Sequence, residues 1–389
     1  MPNWSDVDTP AVLIDLEKVS ANLLRVQGYA DAHGLALRPH IKTHKLHRFA
    51  NLQVEFGACG ITCQKVGEAE SMAAGGIQDI LITYNLVGEA KLERLAKLHE
   101  SIQMGVVTDN ETVAQGYANK FQNPKHRLRV LVECDTGAGR CGVQTPEEAL
   151  KLARFIAGQP GLHFLGLMTY PPTDKEIETQ KWLTDAQRAC LNAGLRVDTI
   201  STGGTPGIWK ADQVPIANEY RPGTYIYNDR SLVTRKTAAW DDCALTVLAT
   251  VISTPTETRA IIDAGSKVLT SDSGKMTVGQ KLAFHSMNKG ALIETRWDVK
   301  SIREGEDFSE ICLSLEGQLR MDKEVAKSIT GLNRCITILA REEGGVEIST
   351  SWQIKGFARF FKKGFQRLIV SDSQRLLDDL VQYVSDTSQ

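Results

Sequence analysis

The sequence predicts a parallel eight-stranded α/β barrel followed by a mainly β domain, and three observations predict it. Eight apolar, strand-like runs alternate with amphipathic stretches between residues 35 and 227, the rhythm of strands linked by helices around a barrel. Each run gives way to polar or glycine residues, so reactive groups gather at one end of the strands. After Asp229 the helical stretches stop, and strand-like runs follow one another directly. At 389 residues the chain has material for two domains. The barrel is expected at 17–235, with 1–16 and 236–389 forming the mainly β part.

Residues 11–16, AVLIDL, read as a short apolar strand, and a helical stretch runs from there to about residue 32. The barrel strands fall at 35–41, 58–64, 79–85, 102–108, 129–134, 164–170, 197–202 and 220–227. Between them, 89–100 carries Leu92, Leu95 and Leu98 at threefold spacing, one stripe of a helix. The stretch 146–157 opens on Pro146, which suits a first helical turn because the missing N–H would have no partner there. Past the barrel, 243–253 and 259–263 are apolar runs, punctuated by glycine and serine at 264–266 and 271–274. Residues 300–320 are mixed and weakly periodic. The basic, aromatic stretch 357–368 reads as a solvated face, and 371–384 as a short amphipathic helix.

Composition narrows the function. A formal net charge of −2 and a pI near 6.5 give no electrostatic case for nucleic acid. No apolar run approaches the ~20 residues that span a bilayer, and the opening MPNWSDVDTP lacks the regions of a secretory signal. The eight cysteines are scattered, without C-x-x-C spacing, and read as reduced, mostly buried thiols of a cytoplasmic protein. Cys59 and Cys63, on one predicted strand, are expected in the core.

In such a barrel the active site lies at the C-terminal ends of the strands. The first strand runs into LRPHIKTHK (37–45), with His40, Lys42 and His44. A lysine leaving a buried strand is costly unless its charge is paired or its pKa lowered. A lowered pKa is also what lets a lysine condense with a carbonyl as a Schiff base. A solvated basic turn is the commoner meaning of such a stretch, and the other strand ends decide between the two. The second strand ends in Gln64 and Lys65, and the third in Tyr84 and Asn85. The fifth leads into ECDTGAGRCGV, with Glu133, Asp135 and Arg140, and the sixth ends in Thr169 and Tyr170. STGGTPG (201–207), with Gly203 and Gly204, follows the seventh, and RPGTYIYND (221–229) accompanies the eighth. These last two turns stand where barrels bind phosphate through backbone N–H groups. One glycine turn alone means little. Two in the phosphate positions, with a lysine across the barrel, describe a pyridoxal 5′-phosphate (PLP) site.

The motifs TPAVLIDL (9–16), RPHIKTHK (38–45), CQKVGEAE (63–70), GAGRCGV (137–143), LMTYP (167–171), STGGTP (201–206), EYRPGTYIYND (219–229) and DAGSK (263–267) carry a resemblance. In this order and spacing they resemble the alanine-racemase-like (fold type III) PLP enzymes, and among them the D-threonine aldolase and D-serine dehydratase group. The resemblance implies Lys42 as the PLP-bearing lysine, Arg140 as partner of the pyridine nitrogen, and Gln64 and Tyr170 in the cofactor shell. It implies that Thr205, Gly223 and Thr224 hold the phosphate, with Gly203 and Gly204 in the same turn. His40 and Tyr170 join Lys42 as candidate catalytic groups. Arginine keeps its proton near neutrality, so Arg140 would donate to an unprotonated ring nitrogen. That would leave PLP a weaker electron sink than one protonated by a carboxylate.

The implied activity is cleavage of D-3-hydroxy amino acids, D-threonine to glycine and acetaldehyde, by a homodimer. Dehydration of D-serine, racemisation and non-catalytic PLP binding are the alternatives. The ~150 residues after the barrel, about a domain's worth, set the chain apart from single-barrel PLP carriers. Members of the group carry a C-terminal His-x-Asp or His-x-Cys pair that binds a divalent metal at the substrate's β-hydroxyl. Here the last histidine is His285, and neither Cys312 nor Cys335 has a histidine at that spacing. No metal ligand is assigned, and no stoichiometric metal is expected at that position. Residues 281–345 match nothing in the group, while VEISTSWQIKGFAR (346–359) looks like its closing strand.

Overall fold

The computed structural model describes residues 7–256 and 259–265, and beyond them the backbone of five strands between 281 and 354. The chain divides into two compact units, Asp15–Ala244 and Met1–Ile14 with Leu245–Gln389. Strand β1 (Ala11–Ile14) belongs to the second unit, and helix α1 (Leu16–Ala32) opens the first. Asp15 starts α1 by accepting hydrogen bonds from the N–H groups of Glu17 and Lys18, two donors that would otherwise lack partners. Val19, Leu23, Val26 and Ala30 recur at helical spacing and are buried.

Eight strands follow in the first unit: β2 (Ala36–Leu37), β3 (Ile61–Cys63), β4 (Asp79–Ile82), β5 (Gln103–Thr108), β6 (Leu128–Cys134), β7 (Leu162–Thr169), β8 (Thr199–Thr202) and β9 (Glu219–Tyr220). Helices α2 (His47–Glu55), α3 (Val66–Ala74), α4 (Glu89–Ser101), α5 (Glu111–Lys120), α6 (Pro146–Ala157) and α7 (Glu176–Asn192) connect them as far as β8. The strands pair in the order β2-β9-β8-β7-β6-β5-β4-β3, every pairing parallel. A parallel bridge from His40 to Thr62 spans the remaining seam, where the Thr62 N–H donates to the Pro39 carbonyl at 2.7 Å. Leu81, Val107, Leu131 and Met168, one from each of β4 to β7, form a cluster of their own, the signature of inward-pointing residues. The opposite strand faces join the helices in the main core. On α6, whose Pro146 follows the Thr145 cap, Leu152 and Ile156 are buried; each contributes about 1.5–3 kcal/mol.

The eighth barrel strand, expected at 220–227, is shorter and earlier. The chain leaves the sheet after Tyr220, because Pro222 has no N–H for the ladder, and Thr224–Ile226 coils into a 3₁₀ turn. The link from β8 to β9 is also 3₁₀, Thr205–Gln213, rather than an α-helix. Cys59, expected in the core, precedes β3 and is exposed, while Cys63 is buried; the six described cysteines are free.

In the second unit β10 (Leu245–Leu248) pairs antiparallel with β1, and β11 (Val251–Thr256) with β12 (Arg259–Ile262). Strands β13 (Lys281–Asn288), β14 (Ala291–Glu304), β15 (Phe308–Arg320), β16 (Leu332–Ala340) and β17 (Val346–Ile354) form a five-stranded antiparallel sheet in sequence order. Register shifts at Arg296/Trp297 and Val299/Ser301 break the twofold alternation, which is why 300–320 shows little period. The readings for 271–274, 357–368 and 371–384 lie outside the described residues. Among the described residues no helix is long and apolar enough to cross a membrane.

Candidate active site

The lysine turn is anchored before it begins. As the chain leaves β2, the His40 N–H donates to the Pro222 carbonyl at 2.8 Å. The His40 Nδ1 then accepts from the Lys42 N–H at 3.2 Å and caps the 3₁₀ turn Ile41–Thr43. Ile41 is buried, which fixes the turn on the strand end. Lys42 stays exposed at the rim, yet its pKa is lowered, first by burial on its protein side and then by the Arg140 charge, with Glu68 opposing. The Glu68 carboxylate pairs with Lys45 at 3.1 Å and accepts from the Gln64 N–H at 2.8 Å. It therefore joins the ends of the first two barrel strands.

His40 is buried, and its Nε2 has no hydrogen-bond partner. Burial, then the Lys42 charge, pushes its pKa down to about 3. The Gln64 side chain is close enough to counter this in part, without meeting Nε2 at hydrogen-bond distance. His40 is therefore neutral near pH 7, and with Nδ1 accepting, its proton sits on Nε2. His44 faces elsewhere. It accepts from the Leu46 N–H at 3.1 Å, meets Gln53 at 3.3 Å and stands edge-on to Phe49, so its role is packing.

The two glycine turns meet each other and the lysine turn. Gly203 has φ +88, and a Cβ there would fall 2.0 Å from the Tyr220 ring; only glycine fits. The Tyr220 hydroxyl donates to the Gly204 carbonyl at 2.9 Å, and a Cβ on Gly204 would meet the Tyr170 ring at 2.7 Å. The Thr205 hydroxyl accepts from the N–H groups of Gly223 and Tyr225 at 3.0 and 3.2 Å, stitching the turn after β8 to the turn after β9. Thr224 begins the 3₁₀ turn beside them.

Across the rim, the Arg140 guanidinium lies 4.8 Å over the Tyr170 ring and 3.5 Å from the Glu133 carboxylate. Asp135 shapes this turn by accepting from the N–H groups of Gly137 and Gly139. The structure thus gathers His40, Lys42 and Gly223 at one side, and Arg140, Tyr170 and Gly204 at the other. Two charged groups escaped the sequence reading. Glu68 lay inside a quoted motif, and Arg221 stood two residues before a phosphate-turn glycine, which was the available signal. Arg221 is buried, with one terminal nitrogen donating to the Ser201 hydroxyl and the other to the Thr169 carbonyl at 2.7 Å. Burial lowers its pKa to about 10, so it remains cationic at neutral pH.

Lys42, Arg140 and Arg221 offer cationic groups to an anionic ligand, with Glu68 and Glu133 beside them. A cavity of about 330 Å³ opens by the Gly203–Gly204 turn, but neither Lys42 nor His40 lines it. Among the described residues no three His, Cys, Asp or Glu side chains cluster as metal ligands.

The chain is similar to known proteins. Residues 14–231 match the family model "Alanine racemase, N-terminal domain", and 244–315 match "Putative serine dehydratase domain", so the similarity extends to 281–315, where the sequence motifs showed none. The chain is 36% identical over 284 residues to a D-threonine aldolase of Arthrobacter sp, covering 69% of this chain and 74% of that protein. It is 33% identical over 291 residues to a 3-hydroxy-D-aspartate aldolase of Paracoccus denitrificans (strain Pd 1222), covering 69% and 75%. The crystal structure of D-threonine aldolase from Filomicrobium marinum superposes with a TM-score of 0.66 at 31% identity, over 77% of this chain and 81% of that one.

Proposed function

Because the chain belongs to the alanine racemase N-terminal domain family, we propose that it is a PLP-dependent lyase cleaving D-3-hydroxy amino acids, D-threonine to glycine and acetaldehyde. The observation that carries this is the lysine turn bonded onto the glycine cup: His40 N–H to Pro222, and Gly223 against His40.

The residues present suit PLP. Gly203, Gly204 and Gly223 let the two turns close against Tyr220, Tyr170 and His40, His40 Nε2 is a buried group without a partner, and Lys42 has a lowered pKa. Lys42 would hold the cofactor, with Gly203, Gly204, Thr205, Gly223 and Thr224 around its phosphate and Gln64 beside it. Arg140 would donate to the pyridine nitrogen. When bound, PLP supplies an electron sink for the bond broken at the substrate's Cα. His40 keeps a proton on Nε2 and orients Lys42 through Nδ1. Tyr170, with its ring under Arg140 and its hydroxyl beside Gly204, would move a proton through that hydroxyl. No histidine follows His285 to form the pair that the resemblance associates with a divalent ion.

Dehydration is the second reading, favoured by the match of 244–315 to the putative serine dehydratase domain. We extend the proposal to a cytoplasmic homodimer, in keeping with free cysteines and the resemblance, and to a cofactor-bearing domain at 17–235 with 1–16 and 236–389 as the mainly β domain.

The test combines cofactor and product. Protein mixed with PLP should gain a visible absorption band that borohydride removes, with the reduced adduct mapping to Lys42. D-threonine should then yield acetaldehyde, whereas D-serine converted to an oxo acid would favour dehydration. Protein that takes up no PLP, or carries the adduct on Lys45 or Lys65, would overturn the reading.

A further inference from the structure

Arg140 stands on the turn 135–142, whose two halves are held in different ways. At the base of the turn the Asp135 N–H donates to the Val143 carbonyl at 3.0 Å, and the Val143 N–H to the Glu133 carbonyl at 2.9 Å. Asp135 Oδ1 gathers the N–H groups of Gly137 and Gly139, so the first half is held from within. The second half, which carries Arg140, is fastened from outside: the Gly142 N–H donates to Asp109 Oδ2 at 3.1 Å. Gly142 has φ +118, and a Cβ there would fall 2.5 Å from the Asp135 nitrogen. Only glycine fits, so the backbone sets the direction of that N–H.

Asp109 is itself held. It lies between Thr108, buried at the end of β5, and Asn110, which caps α5 by accepting from the Val113 N–H at 2.9 Å. Its Oδ1 accepts from Asn110 Nδ2 at 2.7 Å and from Asn85 Nδ2, just past β4, at 2.8 Å. Three donors thus converge on one short side chain. A carboxylate suits this because it has two acceptor oxygens and no proton of its own. The Asn85 oxygen, by contrast, is buried without a partner.

We infer that Asp109 is a positioning residue: by accepting from Gly142 it ties the Arg140 turn to the ends of β4 and β5, and so fixes where the Arg140 guanidinium meets the cofactor. This rests on the PLP reading above, with Arg140 as a partner of the bound ring. Glu133 and the Tyr170 ring act on the Arg140 side chain, whereas Asp109 acts on the backbone that carries it. No contact between Asp109 and a ligand is required.

The experiment titrates PLP into the full-length wild type, Asp109→Ala, Asp109→Asn, Arg140→Ala and the double variant Asp109→Ala with Arg140→Ala. The visible band and the melting temperature of each apoprotein are followed. Asp109→Ala should weaken PLP binding by about tenfold, the scale of one hydrogen bond to a charged group, and shift the band the way Arg140→Ala does. In the Arg140→Ala background the same change should alter affinity by less than about twofold, because residues that act through one another are not additive. Asp109→Asn keeps an oxygen for Gly142, and Asn85 can turn its unpartnered oxygen to the new amide. It should bind PLP close to wild type. Asp109→Ser carries the cycle if the alanine variant fails to fold. Equal losses in both backgrounds, or variants that melt earlier with unchanged affinity and band, would overturn the inference alone. An Arg140→Ala variant that binds like wild type would remove Arg140 from the site and this inference with it. A wild type that takes up no PLP would overturn the functional reading first.

Discussion

Gly223 lies directly against His40: a Cβ built on Gly223 would stand 3.2 Å from the His40 carbonyl oxygen and 3.4 Å from its Cβ. The glycine turn after β9 and the lysine turn are therefore one packed unit, and displacing one displaces the other. Gly223→Ala meets no positive-φ penalty, but the lysine turn must yield by a few tenths of an ångström. PLP affinity should fall while the melting temperature changes little. Gly203→Ala should lose both, because its positive φ and the Tyr220 ring together cost roughly 2–5 kcal/mol. Thermal melts and PLP titrations of the two variants separate these outcomes, and equal behaviour would count against the packed unit.

Arg140 is exposed and its loss leaves no buried charge unpaired except Glu133, which keeps the Cys141 thiol as donor. Arg140→Ala should therefore fold normally, yet bind PLP and turn over about ten- to a hundredfold less well, the worth of one charge-assisted hydrogen bond. Arg140→Lys should recover only part of this, since an ammonium cannot reproduce a planar donor stacked on Tyr170. Unchanged affinity and rate would move Arg140 out of the site.

The sequence made the barrel legible because its signals are local: apolar runs, the Pro146 start, and glycine turns that recur at strand ends. His40, Lys42, Gly203, Thr205 and Gly223 were readable for the same reason, each within a short motif. Arg38 and Glu219, which pair in the core, were not, because a buried charge is tolerable only beside a partner that the chain brings from elsewhere. Tyr220 was read as part of a strand, although its ring fills the space beside Gly203 and its hydroxyl holds Gly204. At 281–354 only the mainly β character was legible, because register shifts between β14 and β15 blur the twofold alternation there.

The buried histidines predict acid lability with a definite sign. His40 and His44 have folded pKa values pushed down to about 3 and about 4, first by burial, against ~6.5 in an unfolded chain. Below pH ~6.5 the unfolded chain takes up protons that the folded chain refuses. Their stability contribution is therefore complete above that pH and falls as the pH drops toward 4 and 3. Each histidine adds a slope of up to about 1.4 kcal/mol per pH unit. His44→Asn offers an amide oxygen to the Leu46 N–H and removes the titration. Urea unfolding across pH 4–6.5 should show a shallower slope for it than for wild type, and identical slopes would mean that His44 protonates freely in the fold.

Metal dependence is the sharpest point at which this chain can depart from its family. Aldol cleavage leaves the β-oxygen as an aldehyde, so its proton must pass to a base or be acidified by a Lewis acid. The resemblance assigns that task to a C-terminal histidine paired with an aspartate or cysteine, but residues 286–389 contain no histidine. A carboxylate without neighbouring ligands holds a divalent ion weakly, because firm sites need several protein donors. The expected outcome is low activity on D-threonine that neither EDTA nor added Mn²⁺ changes by more than about twofold, a difference of only ~0.4 kcal/mol in barrel-site chemistry. Elemental analysis should find well under one divalent ion per chain in the active protein. One tightly held ion, with activity lost to EDTA and restored by metal, would show that other ligands replace the histidine pair.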